Sequence, residues 1–154
     1  MNMVLGFMIF EQHVTLLEKV KPEFMAGRWN GVGGRVEEAR GCLGEAEIHA
    51  MVREFEEETG TATQPEHWTL TISLTHGGNV VNVFHGDGAA VDFWGIPWRA
   101  RGKAERVRNW RRDALPDAIM PNLRWMIPLQ LAEVKFPLYI EDVSSFGATE
   151  GGTW

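Results

Sequence analysis

The sequence is poor in the features that mark secreted, membrane-bound or nucleic-acid-binding proteins. Its single cysteine, Cys42, cannot form an internal disulfide, so a reducing, cytoplasmic location is the expected one. The 15 basic residues are outnumbered by 21 acidic ones, and the net charge of −6 disfavours a nucleic acid polymer or an anionic membrane as partner. The apolar residues 1–10 are too few to span a bilayer, and they lack the basic start and small-residue cleavage site of a signal peptide.

The histidines are equally uninformative, and the composition is that of one globular domain. The five histidines show no spacing typical of a metal site, and no internal repeat is present. With 154 residues, of which 44% are apolar, the chain is long enough to bury a core. We expect a single domain over residues 1–145 and a flexible, glycine-rich tail over residues 146–154.

Hydrophobic periodicity predicts an α/β fold. Strands are expected where apolar residues alternate or cluster, at residues 3–10, 13–20, 68–75, 79–85, 91–98, 107–111 and 136–140. Residues 86–88 are expected to join two of these strands as a hairpin, and Pro137 is expected to keep the last strand at an edge. A second helix is expected over residues 122–133, disturbed at Pro128. This order of elements indicates a mixed sheet covered by helices on both faces.

The most informative stretch is a first helix, predicted to end before Gly60. One face of it is apolar, because Ile48, Met51, Val52 and Phe55 recur at intervals of three and four residues. A second face carries three carboxylates, those of Glu54, Glu57 and Glu58. Carboxylates stacked in this way repel one another, and a hard divalent cation such as Mg²⁺ relieves the repulsion. The alternative interpretation is a solvated, glutamate-rich helix surface.

Residues 53–60, REFEEETG, together with Glu45 eight positions before Arg53, resemble the Nudix box. The pattern of that family is G-x5-E-x7-R-E-U-x-E-E-x-G-U, where U is a bulky aliphatic residue. The match to its second half is complete if Phe55 is accepted at a U position. Thr61 departs from the pattern, and about five extra residues stand around residues 38–43, between the Gly33-Gly34 turn and Glu45.

Two further segments resemble the MutT-like branch of the family, which hydrolyses oxidised purine nucleoside triphosphates such as 8-oxo-dGTP. Residues 26–34, AGRWNGVGG, are similar to its approach to the box, and in that branch the residue at the position of Asn30 binds the base. Residues 121–128 resemble the helix beside its base pocket. Here Asn122 and Leu123 replace an acidic pair that reads the purine in human-type members, and Met120 replaces a stacking tryptophan.

The resemblance implies a Nudix-type α/β/α sandwich that uses Mg²⁺ or Mn²⁺ to hydrolyse a small-molecule nucleoside diphosphate linked to a moiety X. The implied metal ligands are oxygen donors: the carboxylates of Glu54, Glu57, Glu58 and Glu105 and the carbonyl of Gly33. Arg53 is expected to hold a box glutamate in place, and Glu54 or Glu57 to accept a proton from the attacking water. Asn30 and Asn122 are the expected nucleotide-binding residues.

Several alternatives stay open at this point. The substrate of an enzyme with this box can also be ADP-ribose, a nucleotide sugar or a dinucleoside polyphosphate, and a homodimer is possible. Some Nudix-like domains bind nucleotides without hydrolysing them, although they usually lose box glutamates that this chain retains. At single positions, Glu105 can equally be a solvated glutamate, and Asn30 can be a turn residue before Gly31.

Overall fold

The computed structural model describes residues 1–37, 44–99, 104–132 and 137–141. Within these ranges the chain forms eight strands and two α-helices. The strands are β1 (Asn2–Phe10), β2 (His13–Glu18), β3 (Trp29–Asn30), β4 (Val32–Arg35), β5 (Trp68–His76), β6 (Asn79–Asp87), β7 (Arg106–Arg111) and β8 (Leu138–Glu141). The helices are α1 (Glu47–Thr59) and α2 (Leu123–Leu129).

The strands form one mixed sheet, as the sequence predicts. Its main order is β3-β2-β1-β6-β5-β8, with β4 paired to β1 and β7 paired to β2. The pairs β1–β6 and β5–β8 are parallel, and the remaining pairs are antiparallel. β1 therefore lies at the centre: β6 runs along one side of it, while β2 and β4 share the other. Gly33 and Gly34, predicted as a turn, are instead extended residues of β4, and they lie beside Leu5 and Val4 in the first half of β1.

The two helices cover opposite faces of the sheet, which confirms the predicted layers. On β1, Val4 and Met8 pack with Met51 and Phe55 of α1 in one apolar cluster. Leu5, Phe7 and Ile9, which alternate with them, pack with Leu123, Met126 and Ile127 of α2 in another. Because successive strand residues point to opposite faces, β1 is apolar on both sides and serves as the common wall of the two cores.

The ends of both helices follow from their sequences. α1 ends at Gly60, whose φ of 74° is left-handed and whose N–H donates to the carbonyl of Glu56. α2 ends at Leu129 and contains Pro128, which lacks the N–H that would bond to the carbonyl of Arg124 and so leaves this short helix with one bond fewer. The second helix is thus shorter than the predicted span of residues 122–133. β8 lies at a sheet edge directly after Pro137, as expected.

The strand predicted over residues 91–98 is wrong, and so is the hairpin turn at residues 86–88. β6 instead continues through Asp87, and its hairpin partner is β5, joined by Gly77 and Gly78. Residues 88–90 and 93–95 form short 3₁₀ turns, because the side chains of Asp87 and Asp92 accept backbone N–H groups from Ala89 and Gly95. These caps bond part of the backbone locally, so residues 88–95 do not run as a strand. Trp98, just beyond them, does bond to the backbone of β7, where its carbonyl accepts the N–H of Val107 at 2.7 Å.

The extra residues near residues 38–43, including Cys42, lie outside the described residues, and so does the tail predicted over residues 146–154. The residues that flank the extra segment are joined to each other. Glu45 N donates to the carbonyl of Glu37 at 3.1 Å, and Glu37 N donates to Oε2 of Glu45 at 3.0 Å. This closure explains how β4 and α1 keep their positions on either side of additional chain. The extent of the domain, residues 1–145, stays a prediction.

Candidate active site

The last turns of α1 lie over the glycine pair Gly33-Gly34 in strand β4. A Cβ atom on Gly34 would collide with the carboxyl group of Glu54, so the glycine is what lets this carboxylate approach the strand. The backbone N–H of Gly33 donates to Oε2 of Glu58 at 3.2 Å. Two of the three predicted carboxylates therefore contact the glycine pair in β4, although α1 and this pair are about twenty residues apart in sequence.

Glu58 is one of the two enclosed carboxylates, together with Glu54, whose side chain is 14% exposed. The second oxygen of Glu58, Oε1, lies 3.2 Å from Nζ of Lys19, and the Glu58 side chain is 13% exposed. Burial is the main cause that raises the pKa of Glu58; the Lys19 charge opposes this, and the negative charge of Glu54 adds a smaller increase. Glu54 and Glu58 are thus close enough to interact electrostatically, which is the situation that a bound cation relieves.

Arg53 ties the remaining acidic groups together. Its guanidinium donates to both oxygens of Glu45, at 3.0 and 2.9 Å, and to Oε1 of Glu54 at 2.8 Å. It also donates to the carbonyl of Arg35 at 2.9 Å and lies 3.6 Å from Oε2 of Glu57. Arg53 therefore contacts box glutamates and the end of β4, in the geometry of a positioning group. Glu57 is half exposed, at 51%, and turns towards this guanidinium.

The donor set suits a hard divalent cation in its chemistry, because carboxylate oxygens are its preferred protein ligands. Glu54 and Glu58 lie together against the glycine pair Gly33-Gly34 of β4. Within the described parts of the chain, however, no three acidic, histidine or cysteine side chains converge on one point. Glu57 would have to leave Arg53 to join the other two. The carboxylates of Glu54, Glu57 and Glu58 are the residues that would hold the cation.

Glu105 directly precedes β7, whose first residue is Arg106. The register that pairs Glu18 with Arg106 places Glu105 opposite Lys19 when it is extended by one residue. Val107, two residues further on in β7, packs in the cluster under α1. Glu105 is half-buried. Its role as a metal ligand stays a prediction.

A cavity of about 220 Å³ opens beside the carboxylates. It is lined by apolar side chains, by the glycine pair of β4 and by four polar side chains, those of Lys19, Lys21, Asn30 and Asn122. Both asparagines are largely buried. They share the cavity because β3 is bonded to the chain before α2: Trp29 N donates to Ala118 O at 2.8 Å, and Met120 N donates to Trp29 O at 2.9 Å.

The two asparagine amides offer different groups. Oδ1 of Asn30 accepts the N–H of Gly31 at 2.9 Å, which leaves the amide NH₂ of Asn30 as a donor. Nδ2 of Asn122 lies 3.6 Å from Sδ of Met126, a weak acceptor, which leaves its carbonyl oxygen as an acceptor. Lys19 and Lys21 were missed in the sequence analysis. Their signal is the alternation that continues from Leu17 and directs Lys19 to the α1 face.

The family model described as the NUDIX domain matches residues 3–135 of this chain. The chain belongs to the NUDIX family, as the box residues predict, and is a hydrolase of that family. Nudix hydrolases act on small-molecule nucleotides and generally use divalent metal ions. No curated protein matches the chain in sequence. Over the described residues, neither helix is long and apolar enough to cross a membrane.

Solved structures share the fold at low sequence identity. A NUDIX hydrolase from Nitrosomonas europaea is 20% identical, with a TM-score of 0.65 over 92% of this chain and 78% of that one. A MutT NUDIX hydrolase from Burkholderia pseudomallei is 25% identical, with a TM-score of 0.62 over 84% of this chain and 95% of that one. A mutator MutT protein from Bacillus halodurans is 17% identical, with a TM-score of 0.58 over 90% and 86%.

Proposed function

We propose that this hydrolase cleaves purine nucleoside triphosphates, oxidised ones among them, to the monophosphate and pyrophosphate, with Mg²⁺ or Mn²⁺ as cofactor. The observation that carries the proposal is the position of the cavity. Its two buried amides line it together with Gly33 and Gly34, and the Glu54 and Glu58 carboxylates lie against those two glycines. A nucleotide whose base contacted the amides would reach the carboxylates with its phosphates.

The amides favour a base over a sugar as the buried group. The free NH₂ of Asn30 suits a carbonyl or ring nitrogen of a purine, and the free carbonyl of Asn122 suits a ring N–H or an amino group. The apolar lining includes Leu5, Met25 and Met120, which offer flat or flexible surfaces to a ring. No acidic side chain lines this cavity among the described residues, so recognition rests on neutral amides.

In the reaction, water attacks the α- or the β-phosphorus, the bridging P–O bond between these two phosphorus atoms breaks, and the monophosphate and pyrophosphate separate. A cation held by Glu54, Glu57 and Glu58 would offset phosphate charge and lower the pKa of a bound water. Glu54 or Glu57 would take up the proton that the water loses. Arg53 fixes Glu54 through its bond of 2.8 Å, and Gly34 leaves the space that Glu54 occupies. Asn30 and Asn122 would hold the base so that the phosphates meet these groups.

The first experiment is product release from a nucleotide panel with Mg²⁺ and with Mn²⁺. The panel contains 8-oxo-dGTP, dGTP, dATP, ADP-ribose, UDP-glucose and diadenosine polyphosphates. We expect a purine triphosphate to be the best substrate, with pyrophosphate as product. Preference for ADP-ribose or UDP-glucose would contradict the base assignment while keeping the reaction class. Absence of hydrolysis for every compound would favour a binding function instead.

Two variants on one helix test the carboxylate assignment. Glu54→Gln keeps the shape of the side chain and removes its charge, and we expect it to abolish most turnover with the fold intact. Glu56→Gln is the matched control, because Glu56 is exposed and stands at the variable x position of the box. A near-normal rate of hydrolysis in Glu54→Gln would contradict the role of Glu54 in turnover. In the cavity, Asn30→Ala should raise KM about tenfold, the effect of one lost hydrogen bond at a buried site.

A further inference from the structure

Lys19 is held at a fixed place in the backbone. It follows directly after β2, its N–H donates to the carbonyl of Arg28 at 2.9 Å, and its own carbonyl accepts the N–H of Gly27 at 2.8 Å. These two bonds attach it to the loop that leads into β3 and Asn30. The position of the Lys19 Cα is therefore set by the same loop that positions the nucleotide cavity.

The side chain of Lys19 reaches from this loop to the carboxylate cluster. Its Nζ lies 3.2 Å from Oε1 of Glu58, while the other oxygen of Glu58 accepts the N–H of Gly33. The Lys19 and Glu58 side chains are 15% and 13% exposed, so solvent screens this pair less than a surface pair. Both oxygens of Glu58 are thus engaged within the protein, which leaves it poorly placed to hold a divalent cation at the same time.

Lys19 also lines the nucleotide cavity, together with Asn30 and Gly33. Lys19 thus borders the cavity that holds the two amides, while its ammonium group contacts the Glu58 carboxylate at 3.2 Å. A nucleotide that spans these two places passes the Lys19 ammonium. Lysine suits a change of partner, since its three N–H donors sit on a flexible four-carbon stem.

We propose that Lys19 is a positioning residue with two alternating partners. Without a divalent cation it holds Glu58; when a cation takes Glu58, Lys19 turns to a phosphate oxygen of the bound nucleotide. The ammonium and the cation repel each other at one carboxylate, and the substrate phosphates supply the new negative partner. This inference rests on the proposed function for the identity of the second partner, but the Glu58 partner does not depend on it.

The proposal predicts effects of opposite sign on two ligands. Lys19→Met keeps the apolar stem and removes the competing ammonium, so Mn²⁺ alone should bind about three- to tenfold more tightly. The same variant loses the phosphate contact, so a nucleotide should bind about tenfold more weakly at saturating Mg²⁺. A residue with a merely structural role would weaken both, because both sites would be disordered together.

The test uses titration calorimetry on the full chain, first with Mn²⁺ alone and then with the α,β-methylene analogues of dGTP and ADP-ribose at saturating Mg²⁺. Lys19→Arg is the second variant, since its planar fork grips a carboxylate at two points and should weaken Mn²⁺ binding. We therefore expect Mn²⁺ to bind most tightly to Lys19→Met, less tightly to the wild type and most weakly to Lys19→Arg. Lys21→Met is the matched control for Mn²⁺ binding, because Lys21 is exposed and, among the described residues, Lys19 is the lysine that contacts Glu58. It should change Mn²⁺ affinity by less than about twofold.

Tighter Mn²⁺ binding together with weaker nucleotide binding in Lys19→Met supports the proposal. Unchanged or weaker Mn²⁺ binding overturns it, as does unchanged nucleotide binding. If Lys19→Met does not fold, Lys19→Arg decides: unchanged or tighter Mn²⁺ binding in that variant overturns the proposal. A wild type that binds Mn²⁺ but neither analogue contradicts the proposed function and the phosphate partner, whereas the Mn²⁺ order still reports on Lys19 and Glu58 alone.

Discussion

Arg53 and Glu45 form a two-point ion pair: Nε donates to Oε1 at 3.0 Å, and Nη2 donates to Oε2 at 2.9 Å. The hydrogen bonds to Arg53 lower the pKa of Glu45, and the bond to Glu45 is the main cause that raises the pKa of Arg53. Both groups therefore stay charged around neutral pH. Since Nη1 of the same guanidinium binds Glu54 at 2.8 Å, the place of Glu54 depends on a residue that lies before the helix.

Arg53→Lys should separate charge from geometry at this pair. A lysine keeps the positive charge, but it cannot present two nitrogens to Glu45 while a third holds Glu54. We expect turnover to fall about 10- to 100-fold, the usual cost of losing a residue that orients metal ligands. The measurement is kcat on the best substrate of the panel. Arg111→Lys is the control, because Arg111 forms a similar two-point pair with Asp113 at an exposed position; equal losses in both variants would contradict the prediction.

Gly34→Ala should reduce activity without reducing stability much. The added Cβ would meet the carboxyl group of Glu54, which is the flexible end of a side chain and can move away. The fold is then kept, while the Glu54 carboxylate is displaced from its place beside β4. We expect a loss of turnover of about tenfold or more, as for other groups that orient metal ligands, with a melting temperature close to that of the wild type.

Gly77→Ala is the matched control for that variant. Gly77 has a φ of 54° and open space around the position of its Cβ, so alanine there is strained but touches nothing. A side chain in this conformation costs about 1–2 kcal/mol. Gly77→Ala should therefore lower the melting temperature and leave turnover unchanged, the reverse of Gly34→Ala. A loss of stability in Gly34→Ala as large as in Gly77→Ala would show that its effect is on the fold.

Those parts of the molecule that depend on local sequence could be predicted. α1 follows from the spacing of Met51 and Phe55 and from the left-handed position of Gly60, all within a few turns of one another. The strand at residues 91–98 was predicted wrongly because its apolar residues also alternate. The competing signal was present in Asp87 and Asp92, whose side chains cap short turns.

Contacts between distant segments could not be predicted. The Lys19–Glu58 pair joins residues 39 positions apart and requires the end of β2 to face the end of α1. The shared cavity of Asn30 and Asn122 depends on the backbone bonds between Trp29 and the chain before α2. Propensity and spacing carry no information about such pairings, because they arise only when the sheet order is set.

Phe55→Ala should be among the most destabilising substitutions in the apolar cluster between α1 and the sheet. Phe55 is fully buried, and its ring packs edge-on against Trp68 with centroids 5.2 Å apart. Removing a buried phenylalanine ring costs about 3–5 kcal/mol, a large part of the stability of a typical domain. Chemical denaturation measures this cost. Phe24→Ala is the control, because Phe24 is 45% exposed and should change the free energy of unfolding by less than about 0.5 kcal/mol.

His85 should make stability fall in mildly acidic solution. Burial lowers its pKa from the usual 6.5, opposed by the charge of Asp87 and by a hydrogen bond to the backbone of Gln130. The folded protein therefore holds His85 neutral at pH values where the unfolded chain protonates it. Because the unfolded state then binds more protons, the free energy of unfolding decreases as the pH falls below about 6.5.

His85→Gln removes this titration and keeps an N–H donor for the backbone of Gln130. Other titrating groups are common to both proteins, so their effects cancel in the difference between the two melting temperatures. We expect the wild type to lose stability relative to His85→Gln between pH 6.5 and more acidic values, and the difference to be constant above about pH 7.5. Melting curves at half-unit pH steps measure it. A difference that does not change across the whole range would show that burial of His85 has no linkage to folding.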